Sequence, residues 1–218
     1  MQLVIGNKNY SSWSLRVWLL MTHFGLEFEE RMIWLYSPQM EQELEALDAG
    51  LKVPVLIDKG ETIWDSLAIC EYLNEQYLAN KAVPENALAR AKMRSICAQM
   101  HSGFFALRAE LPMNCRRQVA SIEFSSEAQS EVTQMIELLE GVLLSRTTDM
   151  LEQGAYLYGK FTIADAAFLP IMSRFQVYAI ELPSALAQYQ QLMLQHPAYV
   201  QWLEQACVET EIVPQSEV

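Results

Sequence analysis

Apolar and polar residues alternate with two different periods along the first 78 residues. A period of two predicts a strand, a period of 3.6 predicts a helix, and a glycine is a natural helix end. The segment Asp58-Lys59-Gly60-Glu61 lies between two apolar runs and predicts a hairpin with glycine in its short loop. The predicted elements are strand 3–5, helix 14–24, strand 28–34, helix 38–47, strands 53–57 and 62–64, and helix 66–78.

After residue 85 the pattern predicts helices only. Residues 79–85 are predicted to link two domains, residues 1–78 and residues 86–218. The fold class is therefore an α/β domain with four strands followed by an all-helical domain. The acidic tail after Val208 is expected to be loose. The predicted helices are 86–110, 127–152, 162–178, 184–193 and 197–207.

The composition changes this picture by excluding several partners. Of 218 residues, 51% are apolar and 19% are charged, which is typical of a globular protein. The net charge of −12 would repel a nucleic-acid backbone and an anionic membrane surface. No apolar run approaches the length of a membrane span, and Asn7 and Lys8 interrupt the N-terminus too early for a signal peptide.

The four cysteines, at positions 70, 97, 115 and 207, are far apart and form no C-x-x-C motif. This spacing argues against both a zinc site and a disulfide framework. We expect reduced thiols, no metal and a cytoplasmic location.

Candidate chemistry begins where the first predicted helix starts, in Tyr10-Ser11-Ser12-Trp13-Ser14-Leu15-Arg16. One serine is enough to cap a helix, and capping alone remains one interpretation. Three serines leave hydroxyls to spare at the positive helix end, where an anion such as a thiolate is stabilised. A hydroxyl that donates to a bound thiol would lower its pKa and make it a better nucleophile.

Two further features precede the helix at 66–78. Asp65 and Ser66 could hold the ammonium and carboxylate of an amino-acid head group, or they could simply cap that helix. Pro54 cannot donate to a sheet ladder, so it marks an edge, a bulge or a special turn. A cis Val53-Pro54 bond would fit, although base rates favour an ordinary trans proline.

Taken in order, the serine cluster, the strand Lys52-Val53-Pro54-Val55-Leu56 and the helix beginning Asp65-Ser66-Leu67-Ala68 resemble the glutathione transferases. The resemblance covers nearly the whole chain, and its specific motifs lie in the first 75 residues. It implies a thioredoxin-like N-terminal domain with a mixed four-stranded sheet, followed by an all-helical domain. The serine-rich turn before Arg16 is most similar to that of zeta-type and related bacterial members.

The resemblance also implies residue roles. Ser11 matches the thiol-activating serine of zeta-like members, and Ser12 matches it with theta-like spacing. Pro54 matches the family's cis-proline, and the Val53 backbone would pair with the cysteinyl part of glutathione. Asp65 and Ser66 match the pair that holds the γ-glutamyl group, and Lys52 either contacts the tripeptide or faces solvent.

Two departures qualify these roles. Asp65 replaces the more usual Glu or Gln and is one methylene shorter. Trp13 replaces the cysteine of the zeta pattern, which puts a zeta-type isomerase function in doubt.

In the helical domain, His101, Phe104, Phe105 and Arg108 are spaced to share one face of a helix. In this family the corresponding helix borders the acceptor-substrate pocket, so His101, Phe105 and Arg108 are candidates for binding an apolar acid. The alternative places Phe104 and Phe105 in the core and His101 at a dimer interface.

Two other segments have structural interpretations. The basic run at 112–117 is expected to be a solvated loop that could otherwise line the pocket mouth. Thr162 and Asp165 have the spacing of a capping box.

The resemblance implies a cytosolic glutathione transferase acting in detoxification, with glutathione as co-substrate and Ser11 stabilising the thiolate. Glutathione-dependent isomerisation or peroxide reduction is an alternative. A non-catalytic binding module of the same fold is another. A homodimer is expected from the family.

Overall fold

The computed structural model describes residues 1–217. Its N-terminal part alternates strands and helices in the predicted order. A hairpin joins β3 to β4, and its turn contains Lys59 and Gly60 at φ of 52° and 88°. The elements are β1 (Gln2–Ile5), α1 (Ser12–His23), β2 (Glu29–Met32), α2 (Met40–Glu45), β3 (Val55–Asp58), β4 (Glu61–Trp64) and α3 (Ser66–Gln76).

The four strands form one mixed sheet in the order β2-β1-β3-β4. Strand β1 pairs parallel with β2, placing Leu3 opposite Glu30, and antiparallel with β3, placing Leu3 opposite Leu56. A parallel pair needs a crossover connection, and α1 provides it. The predicted four-stranded mixed sheet is confirmed, and its arrangement brings the ends of β1, β3 and β4 together at one edge.

The rest of the chain is helical, as predicted. Residues 79–85 contain neither a helix nor a strand, while the exact domain boundaries at 78 and 86 stay a prediction. The helices are α4 (Ala87–Ser102), α5 (Phe105–Glu110), α6 (Ser126–Leu144), α7 (Thr148–Gln153), α8 (Ile163–Val177), α9 (Ser184–Leu194) and α10 (Pro197–Cys207).

Helix α8 is the central element of the core, and it packs against α1. A buried carboxylate fixes its start: Asp165 accepts hydrogen bonds from Thr162 N at 2.7 Å and Thr162 Oγ1 at 2.9 Å. Leu157 N and the Tyr189 hydroxyl also donate to Asp165, each at 3.0 Å. The predicted capping box is present and also ties the preceding loop to α9.

The loop between β1 and α1 is tied to α10 by a buried lysine. Lys8 is 3% exposed, and its ammonium lies 2.7 Å from the Glu30 carboxylate. The Trp18 and Trp202 rings flank that ammonium, with centroids at 5.0 and 5.2 Å. Trp202 Nε1 also donates to the Lys8 carbonyl at 2.9 Å. These contacts fix the loop that leads into the serine cluster.

The prediction of one helix over 86–110 is wrong. Helix α4 ends at Ser102, and Phe104 adopts a left-handed conformation with φ of 56° before α5 begins. Phe104 is buried, whereas Phe105 is 67% exposed, so the two do not share a core position. The predicted single helix face containing both His101 and Arg108 therefore does not exist.

The predictions of a solvated loop at 112–117 and a loose tail are also wrong. The Glu209 carboxylate accepts from the backbone N–H of Lys8 at 2.6 Å and of Asn9 at 2.9 Å. Arg116 donates to the Glu209 carbonyl and, at 2.8 Å, to the Glu211 carbonyl. The tail is held because it satisfies amide groups of the β1–α1 loop, a contact invisible to composition.

Candidate active site

A cleft of about 720 Å³ opens between the sheet edge and the helices, a size typical of small-molecule sites. All ten residues singled out from the sequence line it. One side, the N-terminal wall, contains Ser11, Ser12, Lys52, Val53, Pro54, Asp65 and Ser66. The other side, the helical wall, contains His101, Phe105 and Arg108, together with Pro112, Met113, Arg174, Val213 and Ser216.

The two serines begin α1 but make different hydrogen bonds. Ser11 is the N-cap, and its Oγ lies 2.7 Å from Ser14 Oγ, which in turn accepts from Gly6 N at 3.1 Å. Ser12 Oγ accepts from Arg174 Nη2 at 3.3 Å. A hydroxyl has one hydrogen, so Ser12 keeps its own hydrogen available for an acceptor in the cleft.

The turn before β3 contributes backbone groups. The Val53-Pro54 bond is cis, as the resemblance implies. The Val53 N–H and C=O make no hydrogen bond within residues 1–217. They can therefore accept a short extended peptide as an added strand. Lys52 is exposed at the rim of the cleft.

The start of α3 supplies a carboxylate and a hydroxyl side by side. Asp65 Oδ1 caps the helix by accepting from Leu67 N at 2.8 Å and Ala68 N at 3.3 Å. Ser66 is 3% exposed, and its buried Oγ has no hydrogen-bond partner within residues 1–217. An unpartnered hydroxyl at a helix N-terminus suits a ligand carboxylate.

Three arginines give the cleft a positive character that the net charge of the chain conceals. Arg108 and Arg174 line the cleft, while Arg16 lies behind it with its guanidinium 3.9 Å from the Trp13 ring centroid. Within residues 1–217 none of the three forms an ion pair with a carboxylate.

The pKa values of these arginines reflect the same arrangement. Burial, followed by the charges of Arg174 and Arg108, lowers the pKa of Arg16 to about 9. Burial lowers the pKa of Arg174 to about 10. The concentration of positive charge favours an anionic ligand.

Arg174 is the main cleft residue that sequence reasoning missed. It is an arginine in the otherwise largely apolar helix α8, which is a signal for a buried charge with a specific task. Val213 was missed for a different reason, because the tail was expected to be loose. It is 3% exposed and lines the cleft.

Within residues 1–217, no group of three or more His, Cys, Asp or Glu side chains is placed to hold a metal ion. None of the described helices is both long and apolar enough to cross a membrane. All four cysteines are free thiols.

Comparison with known proteins identifies the N-terminal part of the chain. The glutathione S-transferase N-terminal domain family matches residues 10–76, a span that includes both serines, Pro54 and the Asp65-Ser66 pair. This part of the chain is therefore similar to the glutathione-binding half of the glutathione transferases. The resemblance noted in the sequence is thereby confirmed, along with the thioredoxin-like fold of the N-terminal domain.

Proteins similar to this chain include named isomerases. It is 28% identical to the maleylacetoacetate isomerase of Rattus norvegicus over 175 residues, 78% of this chain and 76% of the relative. It is 30% identical to a probable maleylacetoacetate isomerase of Caenorhabditis elegans over 92 residues, which is 42% of each chain. The chain thus matches less than half the length of that second relative.

Solved structures show the same fold over nearly the full length. A glutathione transferase homologue from Burkholderia gl BGR1, with bound glutathione, superposes with a TM-score of 0.71 and 23% identity. That superposition covers 94% of this chain and 97% of the homologue. A zeta-class maleyl pyruvate isomerase superposes with a TM-score of 0.71 and 19% identity, covering 93% and 96% of the two chains.

Proposed function

We propose that this protein is a glutathione-dependent enzyme in which Ser12 stabilises the glutathione thiolate for attack on a small electrophile. The observation that carries the proposal is the hydrogen bond from Arg174 to Ser12 Oγ. Because that oxygen already accepts from a guanidinium, its own hydrogen is free and polarised toward a sulfur in the cleft. Ser11 shares its hydroxyl contact with Ser14 and serves as the helix cap.

The N-terminal wall fits the rest of the tripeptide. Ser66 Oγ and the Ser66 backbone N–H, which begins α3, would take the γ-glutamyl carboxylate, and Asp65 the neighbouring ammonium. The free Val53 backbone would pair with the cysteinyl residue, and Lys52 at the rim would contact the tripeptide. These contacts would place the thiol close to the N-terminus of α1, whose positive end stabilises the thiolate.

The reaction follows from that placement. The thiol loses its proton to solvent, and the Ser12 hydroxyl donates a hydrogen bond to the resulting sulfur anion. The sulfur then forms a bond to an electrophilic carbon and either displaces a leaving group or adds to a conjugated double bond. A transferase of this kind would act on small electrophiles in detoxification, and we propose a cytoplasmic location for it.

Cis–trans isomerisation is a second candidate, favoured by Arg108 and Arg174. Sulfur would add to a conjugated double bond, the resulting single bond would rotate, and the sulfur would leave without net consumption of glutathione. Within residues 1–217 neither guanidinium group has a carboxylate partner, so their charges suit the carboxylates of an enedioic acid substrate. Arg174 is held in place by donating to the Leu111, Pro170 and Ser12 oxygens. The named activity of the isomerase relatives supports the same chemistry. For this activity, Trp13 must be able to stand where the zeta pattern has a cysteine.

Calorimetric titration with glutathione at neutral pH tests the binding step. We expect saturable binding of one glutathione per chain, weakened roughly tenfold in Ser66→Ala because a hydrogen bond to a carboxylate is lost. S-methylglutathione should bind as well, since the N-terminal wall contacts groups other than the thiol. Absence of heat at millimolar glutathione, with an unchanged melting temperature, would favour the non-catalytic module instead.

Assays that follow glutathione separate the two activities. A transferase consumes one thiol per product formed from a neutral chloronitroaromatic electrophile. An isomerase converts maleylacetoacetate while the thiol concentration stays constant. Peroxide reduction would instead oxidise the thiol, and no feature of the cleft favours it over the other two.

We also propose a homodimer, as expected from the family. Large apolar side chains remain exposed on this chain, including Trp64 at 53% and Leu88 at 66%. Light scattering at micromolar concentration should give twice the mass of the chain, and a monomeric mass would contradict the proposal.

A further inference from the structure

One side-chain contact crosses the cleft and joins its two walls. His101 Nε2, in the last turn of α4, lies 2.9 Å from Asp65 Oδ2 at the start of α3. The two side chains are 30% and 43% exposed, and both line the cleft. A residue of the helical domain therefore contacts the carboxylate that we assign to ammonium recognition.

Both oxygens of the Asp65 carboxylate are held by contacts with the protein. Its Oδ1 accepts from two amide groups of α3, while Oδ2 faces His101. The backbone of Asp65 has φ of 70° and ψ of 127°, a strained conformation for a non-glycine residue. Strained residues of this kind persist where surrounding contacts over-determine them, often at ligand sites.

The surroundings of His101 define which nitrogen carries hydrogen. Its Nδ1 is buried and has no hydrogen-bond partner within residues 1–217. An N–H group at that position would be buried without an acceptor, which is costly. The hydrogen that faces Asp65 is therefore assigned to Nε2, which donates to Asp65 Oδ2. This donor holds the carboxylate in place, and Oδ2 keeps a second lone pair for a ligand cation.

Contacts from both parts of the chain hold His101. Its ring packs edge-to-face on Trp13 of α1, with centroids 4.9 Å apart. The His101 carbonyl accepts from Arg108 Nη1 at 3.2 Å, which links the end of α4 to α5. These two contacts set the position of Nε2 beside the Asp65 carboxylate.

We propose that His101 is a positioning residue for the donor substrate, holding Asp65 Oδ2 where the ammonium of the γ-glutamyl group binds. The proposal rests on the proposed function and extends it to a residue outside the N-terminal wall. An aspartate reaches one methylene less far than the Glu or Gln usual at this position. Its oxygen must therefore be held in place, and His101 does so.

Two variants separate the hydrogen bond from the packing. His101→Phe keeps a ring beside Trp13 but removes the donor, whereas His101→Gln keeps an N–H donor without the ring. Each is titrated calorimetrically with glutathione and with an analogue in which hydrogen replaces the γ-glutamyl amine. We expect His101→Phe to weaken glutathione binding roughly tenfold, leave analogue binding unchanged, and raise KM more than it lowers kcat. His101→Gln should restore most of the affinity for glutathione.

Ser102→Ala is the matched control, because Ser102 is exposed on the same helix turn and its hydroxyl, among residues 1–217, bonds only to the Ala98 carbonyl. Equal weakening of both ligands in His101→Phe would show a structural role and overturn the proposal. Unchanged glutathione binding in His101→Phe would overturn it as well. If the unsubstituted protein does not bind glutathione, the proposed function fails first, and this inference fails with it.

Discussion

The two walls of the cleft are built in different ways. The N-terminal wall uses short polar groups at the ends of consecutive elements of one small sheet domain, spanning residues 11–66. The helical wall draws on residues from α4, α5, α8 and the tail, separated by more than a hundred positions in the chain. The N-terminal wall suits a ligand that is the same in every reaction. The helical wall is cationic and aromatic, which suits an acceptor substrate that differs between reactions.

This difference also separates what each wall should do to the kinetics. Changes in the N-terminal wall are expected to affect reactions with every electrophile, because they act on glutathione. Changes in the helical wall should depend on the electrophile used.

Ser12→Ala should lower kcat/KM by roughly 100-fold for neutral and acidic electrophiles alike, because it removes the hydrogen-bond donor to the thiolate. Ultraviolet absorbance of the thiolate should show a raised pKa for bound glutathione. Ser11→Ala is the matched control, one position earlier on the same turn. It should mainly cost stability, by about 1 kcal/mol, through loss of the N-cap. A larger decrease of kcat/KM in Ser11→Ala than in Ser12→Ala would show that Ser11 activates the thiol.

Arg108→Gln should change the preference among electrophiles. Arg108 is only half-buried, and it forms no ion pair within residues 1–217. The ratio of kcat/KM for an acidic electrophile to that for a neutral one should fall roughly tenfold, since a charge-assisted contact is lost. An unchanged ratio would contradict a role of the helical wall in recognising the acceptor substrate.

Thr162→Ala should lower the free energy of unfolding by about 1 kcal/mol without changing substrate preference. Thr162 is fully buried and donates to Asp165 at the start of α8, the helix that carries Arg174. Thermal melting measures the loss. Unchanged melting would contradict the importance of the capping box.

The smallest effect concerns the contact between α1 and α10, away from the cleft. His196 Nδ1 accepts from Ala198 N at 3.2 Å, so its hydrogen lies on Nε2 and is donated to His23 Nδ1 at 2.8 Å. Burial, and to a lesser extent His196, lowers the pKa of His23 to about 4. Below the ordinary pKa of histidine the unfolded chain therefore binds more protons than the folded protein.

That difference should make His23 destabilising in acid. The contribution of neutral His23 to the free energy of unfolding is present above about pH 6.5 and is lost as the pH falls toward 4. The loss is about 1 kcal/mol after allowance for the partial exposure of His23. Burial raises the pKa of Asp165 to about 6, which acts in the opposite direction over the same range. The readout is therefore the difference in melting temperature between the unsubstituted protein and His23→Gln as pH is lowered. A constant difference would contradict the prediction.

The sequence by itself determined the N-terminal wall. Its residues lie in loops next to strands and helices whose periodicity is clear, and loop motifs of a few residues carry their own local geometry. The hairpin at Lys59-Gly60 belongs to this class. The cis Val53-Pro54 bond was expected only from the family resemblance, because base rates favour a trans proline. Turns formed by residues close in sequence can be predicted, because few alternative contacts compete with the local ones.

Only the tertiary structure decided the helical wall. The break at Gly103 and Phe104 separated residues that the pattern placed on one helix face, yet the packing of α4 against α5 brought His101 and Arg108 back to the same cleft. Arg174 reached Ser12 through the packing of α8 on α1, and Glu209 folded the tail onto the β1–α1 loop. Contacts between such distant residues depend on which helix faces meet, and hydrophobic periodicity identifies a buried face but not its partner.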